Sequence, residues 1–314
     1  MQKANGHLPV MLQECIEGLQ IKSDAVIVDG TLGGGGHSRQ ILQQLGPEGK
    51  LIGIDKDEDA IERCQEKLGQ FDNKILVRDD FKNIKGILKE LGIEKIDGAL
   101  LDLGVSSYQL DEPARGFTYK DEHAPLDMRM DRRQQLSAWK VVNEYPEEEL
   151  RSILRDYGEE KFAHRIAQNM VAARKIAPIE TTGQLAKLVE QSIPKKTWAG
   201  KGSPCKRTFQ AIRIEVNGEL KELKQTVEDF IDVLGPRGRL AVITFHSLED
   251  RIVKNAFKEA MDPCICPKDF PVCVCGRVSK GKVVTRKPIL PTPQEMEKNK
   301  RSKSAKLRIF ERAE

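Results

Sequence analysis

Aromatic residues are scarce in this chain, at 5% of 314 residues, which argues against a surface built on many base-stacking rings. Long apolar runs are missing too. No stretch approaches the length needed to cross a bilayer, and the N-terminus has no charged lead followed by an apolar segment, so neither a membrane span nor a secretory leader is expected. Net charge is small, with 52 Lys and Arg against 48 Asp and Glu. The seven cysteines are an odd count, and without a leader the expectation is reduced thiols in a cytoplasmic protein.

What is present suits a soluble globular chain of one large domain or two, with 39% hydrophobic and 32% charged residues. From Arg277 to the C-terminus, twelve Lys or Arg stand against four Glu. Such a basic tail can follow a phosphate backbone, or simply form a solvated polar end.

The first half alternates short apolar runs with amphipathic stretches. Ala25–Val28, Leu51–Ile54, Ile75–Val77 and Gly98–Leu101 read as buried strands, separated by helical patterns at Ser38–Leu45, up to Leu68, and Ile84–Leu91. That rhythm predicts βαβ units and a parallel sheet with helices on both faces. From about Asp111 to Arg207 no buried strand is evident, and charged helical stretches such as Glu147–Leu154 and Ala163–Arg174 dominate. Strand-type sequence resumes at Arg239–Phe245, after the turn Gly235-Pro236-Arg237-Gly238, while Lys195–Pro204 reads as a loop. The expected organisation is an α/β core in two parts, 1–110 and 211–314, interrupted by a helical insertion, 111–210.

In a doubly wound sheet, ligands sit at the carboxyl ends of the strands. Asp29–His37, Asp55, Asp79–Phe81 and Asp102–Gln109 each begin at or just after a predicted strand end. Gly33–Gly36 allow tight backbone approach, and the helix they open presents unpaired N–H groups that favour an anion. Asp55, about twenty residues on, is positioned for ribose hydroxyls. The pair describes an adenosine-containing cofactor, either NAD or S-adenosylmethionine. The loop lacks the third glycine of the dinucleotide fingerprint, so a methionine carboxylate is the better anion. Phe81 is read as an adenine contact or a core ring, with Asp79 or Asp80 near the adenine amine. Asp102 is read as meeting the methionine ammonium or the substrate amine.

The same residues carry a family resemblance. Asp29–Ser38, Leu101–Ser107, Gln109–Asp111, Arg115–Phe117, Pro125–Met130, Lys206–Ala211 and Phe245–Arg251 resemble, in order, the motifs of the ribosomal RNA small subunit methyltransferase H family, also called MraW. The matches run from His7 to Arg308, nearly the whole chain. The resemblance implies a Rossmann-like class I S-adenosylmethionine methyltransferase fold with an inserted helical substrate-recognition domain. It implies methylation of N4 of a cytidine in the decoding region of 16S ribosomal RNA, within the small ribosomal subunit. Cofactor contacts are implied at Gly35, Gly36, His37, Asp55, Phe81, Asp102 and Gln109. The paired cysteines Cys264, Cys266, Cys273 and Cys275 belong to some members only, so they should not serve the shared chemistry.

Cytosine N4 is a poor nucleophile, because its lone pair is delocalised into the ring. Acceptors for the amine hydrogens would assist it, which makes Asp102 the catalytic candidate. His246, with Ser247, Glu249 and Asp250, invites a substrate-side role, though a histidine at a strand end is more often structural. No Asp/Asn-Pro-Pro-aromatic motif follows the fourth strand, which disfavours the alternative of a DNA cytosine-N4 methyltransferase. A second alternative is a non-catalytic RNA-binding assembly factor. Arg115, Arg129, Lys206, Arg207 and the basic tail are the expected RNA contacts. Phe117, Tyr119 and Trp139 are candidates for the wall of a pocket holding an extruded base, with core packing the safer reading for Trp139. The four late cysteines, with Pro263, Pro267 and Pro271 among them, suit structural zinc, free thiols or an occasional disulfide.

Overall fold

A computed structural model describes residues 8–200, 202–267 and 272–314; His7 and Pro271 lie outside the described residues. The chain divides into two compact units, one comprising 1–104 and 220–314, the other 105–219. No described helix is long and apolar enough to cross a membrane.

The first unit is built on a seven-stranded sheet of order β3-β2-β1-β4-β5-β7-β6. Five strands run parallel, β1 (Val26–Asp29), β2 (Lys50–Ile54), β3 (Lys74–Val77), β4 (Ile96–Asp102) and β5 (Leu234–Thr244). Parallel neighbours need long crossovers, here the helices α2 (Gly36–Gln44), α3 (Glu58–Lys67) and α4 (Ile84–Glu90) between the first four strands, while α1 (Leu12–Leu19) precedes β1. The strands carry apolar residues at consecutive positions because both faces are covered. Ile27, Leu51, Leu100 and Ala241 face one core with Ile41 and Leu42 of α2. Val28, Ile52, Leu101 and Val242 face the other, with Ile84 and Ile87 of α4.

The second unit is helical: α5 (Ser107–Asp111), α6 (Ala138–Glu144), α7 (Glu147–Asp156), α8 (Ala163–Arg174), α9 (Thr182–Ser192), α10 (Lys195–Trp198) and α11 (Cys205–Asn217). It has its own core, including Leu126, Met128, Leu150, Ile166, Leu185 and Phe209. The sequence pattern puts the insertion at 111–210, whereas the compact unit is wider. Helix α11 runs unbroken past residue 210, and its Ile212 and Val216 belong to the helical core. The expected loop at Lys195–Pro204 contains the single turn of α10.

The chain returns to the first unit through α12 (Leu223–Val233), β5 and α13 (Ser247–Met261), then β6 (Gly281–Val283), α14 (Pro293–Lys298) and β7 (Lys306–Arg312). The turn expected before the fifth strand lies inside β5. Pairing steps from Ile96↔Leu234 to Gly98↔Arg239, so Gly235–Gly238 bulge out opposite Asp97, with Arg237 at φ 61°.

The basic tail needs correction, since much of it is structural rather than a free or phosphate-tracking end. Strand β7 pairs antiparallel with both β5 and β6, and Leu307, Ile309 and Phe310 are buried. Alternation explains the composition, because the intervening cations meet acids of the same unit. Arg308 grips Asp250 through Nε–Oδ1 at 2.6 Å and Nη2–Oδ2 at 3.2 Å, and Lys306 reaches the same carboxylate at 3.2 Å. Burial alone would raise Asp250, but these two cations hold it below its usual range. Lys282 and Arg239 meet Glu311. Lys298, Lys300 and Lys303 remain exposed.

Arg308 is almost fully buried, so losing it leaves the Asp250 carboxylate of α13 with Lys306 as its one remaining cation among these contacts. Arg308→Ala is expected to cost about 3 kcal/mol, read as a lower urea midpoint with unchanged slope; a shift within error would show that the pair contributes nothing to the sheet.

Candidate active site

The carboxyl ends of β2, β1 and β4 meet where the strand order reverses, and a loop of glycines is hooked across them. Gly30 N–H donates to Leu100 O of β4 at 2.9 Å, and Leu32 N–H to Ile54 O of β2 at 3.0 Å. Gly33 N–H donates to Asp55 Oδ2 at 2.8 Å. Gly35 closes the turn at φ 72°, a conformation that favours glycine, and a Cβ there would lie 2.9 Å from Cys64 Sγ. It is also the N-cap of α2, and no side chain caps that helix. The first turn of α2 therefore directs backbone N–H groups at the strand tips, a setting for a ligand carboxylate.

Three adjacent strand tips carry aspartates. Asp29 is fully buried and accepts from Ser38 Oγ at 2.6 Å and Thr31 N–H at 3.2 Å. Burial still raises its pKa, against the lowering effect of His37 and these hydrogen bonds. Asp55 accepts from Gly33 N–H and, through Oδ1, from Asp57 N–H at 2.9 Å. Burial pushes its carboxyl up to about 6, opposed by those two donors. A carboxylate offers about four lone-pair directions, so both oxygens keep capacity for ribose hydroxyls.

Asp102 differs from the other two. Its backbone N–H donates to Thr31 Oγ1 at 2.6 Å, which fixes the strand end. Its side chain is about 25% exposed, yet Oδ1 is buried with no hydrogen-bond partner. Oδ2 lies 3.9 Å from His37 Nδ1. Burial pushes its carboxyl up to about 6; His37 opposes the rise, and Asp29 and Glu249 add to it. An orphaned acceptor at a strand tip is costly unless a ligand N–H completes it.

The remaining expected residues fall as follows. Gly36 opens α2, and His37 is buried with Nε2 3.0 Å from Val10 O. Phe81 starts a short 3-10 turn at the end of β3 and packs partly against the second core. Asp79 accepts from Asp80 N–H and Asn83 Nδ2, while Asp80 faces Lys56 at 3.5 Å. His246 is the N-cap of α13. Its Nδ1 accepts from Glu249 N–H at 3.4 Å, and its Nε2 lies 3.1 Å from Glu249 Oε1. Gln109 belongs to the helical unit, where its side chain and Ser106 close a capping box on α5.

In the helical unit Arg115 is buried rather than presented at the surface as an RNA contact. Its Nη2 donates to the carbonyls of Arg129 and Met130, at 2.9 and 3.1 Å. Arg129 is ion-paired to Asp127 at 2.6 Å. Lys206 and Arg207 are exposed on α11, with Arg207 Nη1 donating to Glu159 O. The candidate base-wall rings all pack in or against this unit's own core. Phe117 is buried, Tyr119 meets Phe209 edge-on at 5.4 Å, and Trp139 Nε1 donates to Glu180. Sequence reasoning passed over Thr31, Ser38 and Asn217. The hydroxyls flanking the glycine run were the available signal for the first two. Asn217 had none, since it ties Met128 O and Met130 N–H from eighty-odd residues away.

Strand order, glycine loop and acids together define a Rossmann-like class I methyltransferase fold. Across residues 4–313 the sequence matches the model of the MraW methylase family. It is 56% identical over 307 residues to the ribosomal RNA small subunit methyltransferase H 2 of Agathobacter rectalis, covering 98% of each chain. It is 57% identical over 307 residues to the ribosomal RNA small subunit methyltransferase H of Lachnospira eligens, covering 98% of this chain and 97% of that one. The chain belongs to the MraW methylase family.

The raised Asp102 carboxyl has a consequence for stability. With a folded pKa of about 6 against 3.8 unfolded, the folded state binds its proton more tightly, so this group destabilises the fold increasingly as pH rises from about 4 through 6. Asp102→Asn is expected to raise the ligand-free melting temperature at pH 8, with the gain shrinking toward pH 5. A melting temperature unchanged or lowered at pH 8 would contradict the assignment.

Proposed function

We propose that this chain transfers a methyl group from S-adenosylmethionine to the N4 amine of a cytidine in the decoding region of 16S ribosomal RNA, within the small subunit. The observation that carries the reading is the partnerless Asp102 Oδ1 at the strand tip beside the uncapped glycine turn of α2. The cofactor would supply an electrophilic sulfonium methyl. N–H groups of Gly36 and His37, just past the turn that Gly35 closes on Leu32 O, would hold a carboxylate, Asp55 the ribose hydroxyls, and Phe81 the face of the adenine. Asp102 would accept an N–H, from either the methionine ammonium or the cytosine amine. With the electrophile provided, alignment supplies most of the acceleration. His246 would serve α13 as its N-cap.

Calorimetry and single-turnover methylation of small subunits, free ribosomal RNA and duplex DNA test this reading. Asp55→Ala is expected to weaken cofactor binding roughly tenfold or more, the value of a charged hydrogen bond. Wild-type affinity should fall as pH drops from 7.5 to 5.5, because protonated Asp102 no longer attracts an ammonium. Asp102→Ala with a normal rate at saturating cofactor would confine the residue to binding. Absence of cofactor binding, or methylation of DNA alone, would overturn the function itself.

Lys206 and Arg207 are proposed as phosphate contacts of the helical unit. Replacing both with Ala should weaken binding to the small subunit and flatten its salt dependence by roughly one to two units of slope, leaving cofactor affinity intact. An unchanged salt slope would remove them from the RNA interface.

A further inference from the structure

Between α13 and β6 the chain makes an excursion that the sheet does not support. Its base is closed by Lys280 N–H donating to Ala260 O at 2.8 Å. Beyond that base these described apolar side chains stand open to solvent: Ile265 is 65% exposed, Val272 69%, Val274 73% and Val278 80%. Ordering such a loop costs conformational entropy that burial here does not offset. Yet four thiols converge within it. The Sγ atoms of Cys264, Cys266, Cys273 and Cys275 all lie within 4.8 Å of one another.

The spacing identifies the chemistry. Sγ separations are 3.6 Å for Cys264–Cys273, 3.8 Å for Cys266–Cys273, 3.4 Å for Cys273–Cys275 and 3.9 Å for Cys264–Cys275. A tetrahedral ion with metal–sulfur bonds of about 2.3 Å sets its sulfurs about 3.8 Å apart. A disulfide needs about 2.0 Å, and all four cysteines are free. An iron–sulfur cluster binds its thiolates through separate irons and so spreads them wider. Backbone N–H groups also turn inward, with Val274 N donating to Cys266 Sγ at 3.4 Å. Although one intervening residue is a tight spacing for a shared ion, both members of the Cys273–Cys275 pair face the same point.

We propose that these four cysteines form a structural zinc site that fastens the excursion between α13 and β6. As Zn²⁺ binds, each thiol releases its proton to solvent, leaving a tetrathiolate of net charge −2 and four free protons. All four positions are taken by protein sulfur, so the ion has no open site for substrate or water and acts only as a fastener.

The test uses full-length protein purified under reducing conditions without chelator, with metal content measured by mass spectrometry. About one equivalent of zinc per chain is expected, and cobalt exchanged into the site should give intense thiolate-to-cobalt absorption with tetrahedral visible bands. Cys264→Ser combined with Cys273→Ser should abolish both signals while far-ultraviolet circular dichroism is kept. Should that variant fail to fold, the cobalt titration of the unaltered protein decides alone. Less than about a tenth of an equivalent after incubation with excess zinc, an octahedral cobalt spectrum, or disulfides among these cysteines in the reduced preparation would each overturn the proposal.

Discussion

Desolvated negative charge at the tips of three parallel strands is the constraint around which the α/β unit is arranged. Asp29, Asp55 and Asp102 end β1, β2 and β4, which are neighbours in the sheet, and burial raises all three carboxyls. Such groups persist only where donors compensate them. Most of the donors come from the glycine loop and the helix it opens, Thr31 and Gly33 N–H and the Ser38 hydroxyl, and Asp57 N–H at the start of α3 adds one more. The glycine loop is therefore shaped by the acids as much as by its freedom of φ. Asp102 is the member left incomplete, and an incomplete acceptor at a strand tip is where a ligand contributes most.

The helical unit answers a different problem, that of holding long irregular segments without a sheet. Residues 116–137 lie outside the helices and strands, and side chains add to the backbone bonds that tie them. Arg115 spans to the carbonyls of Arg129 and Met130, and Asn217 takes both Met128 O and Met130 N–H. Met128 sits at φ 58°, a strained conformation for a side-chain-bearing residue, which such clasps make tolerable. Motif residues that look like RNA contacts by composition are thus occupied with backbone. Of the four motif cations, Lys206 and Arg207 on α11 are the exposed pair.

The C-terminal segment shows how composition misleads when alternation is ignored. Lys306, Arg308 and Arg312 give the tail its basic character, but they alternate with Leu307, Ile309 and the rest of a buried strand face. Each of the three finds a carboxylate or carbonyl within its own unit. A count of charges cannot tell a solvated tail from an interior strand whose cations are neutralised by partners far away in sequence.

The parallel core, its strand tips and the glycine turn were legible in the sequence, because apolar runs, their period and turn residues are local signals. The family was legible as well, since its motifs are contiguous blocks. What only the tertiary structure decided were pairings between distant residues: Asp250 with Arg308, Asn217 with Met128, and Thr31 with Asp102. No local preference encodes these contacts. They exist because folding brings remote side chains into a space where water no longer satisfies their charges and hydrogen bonds, and only a partner can.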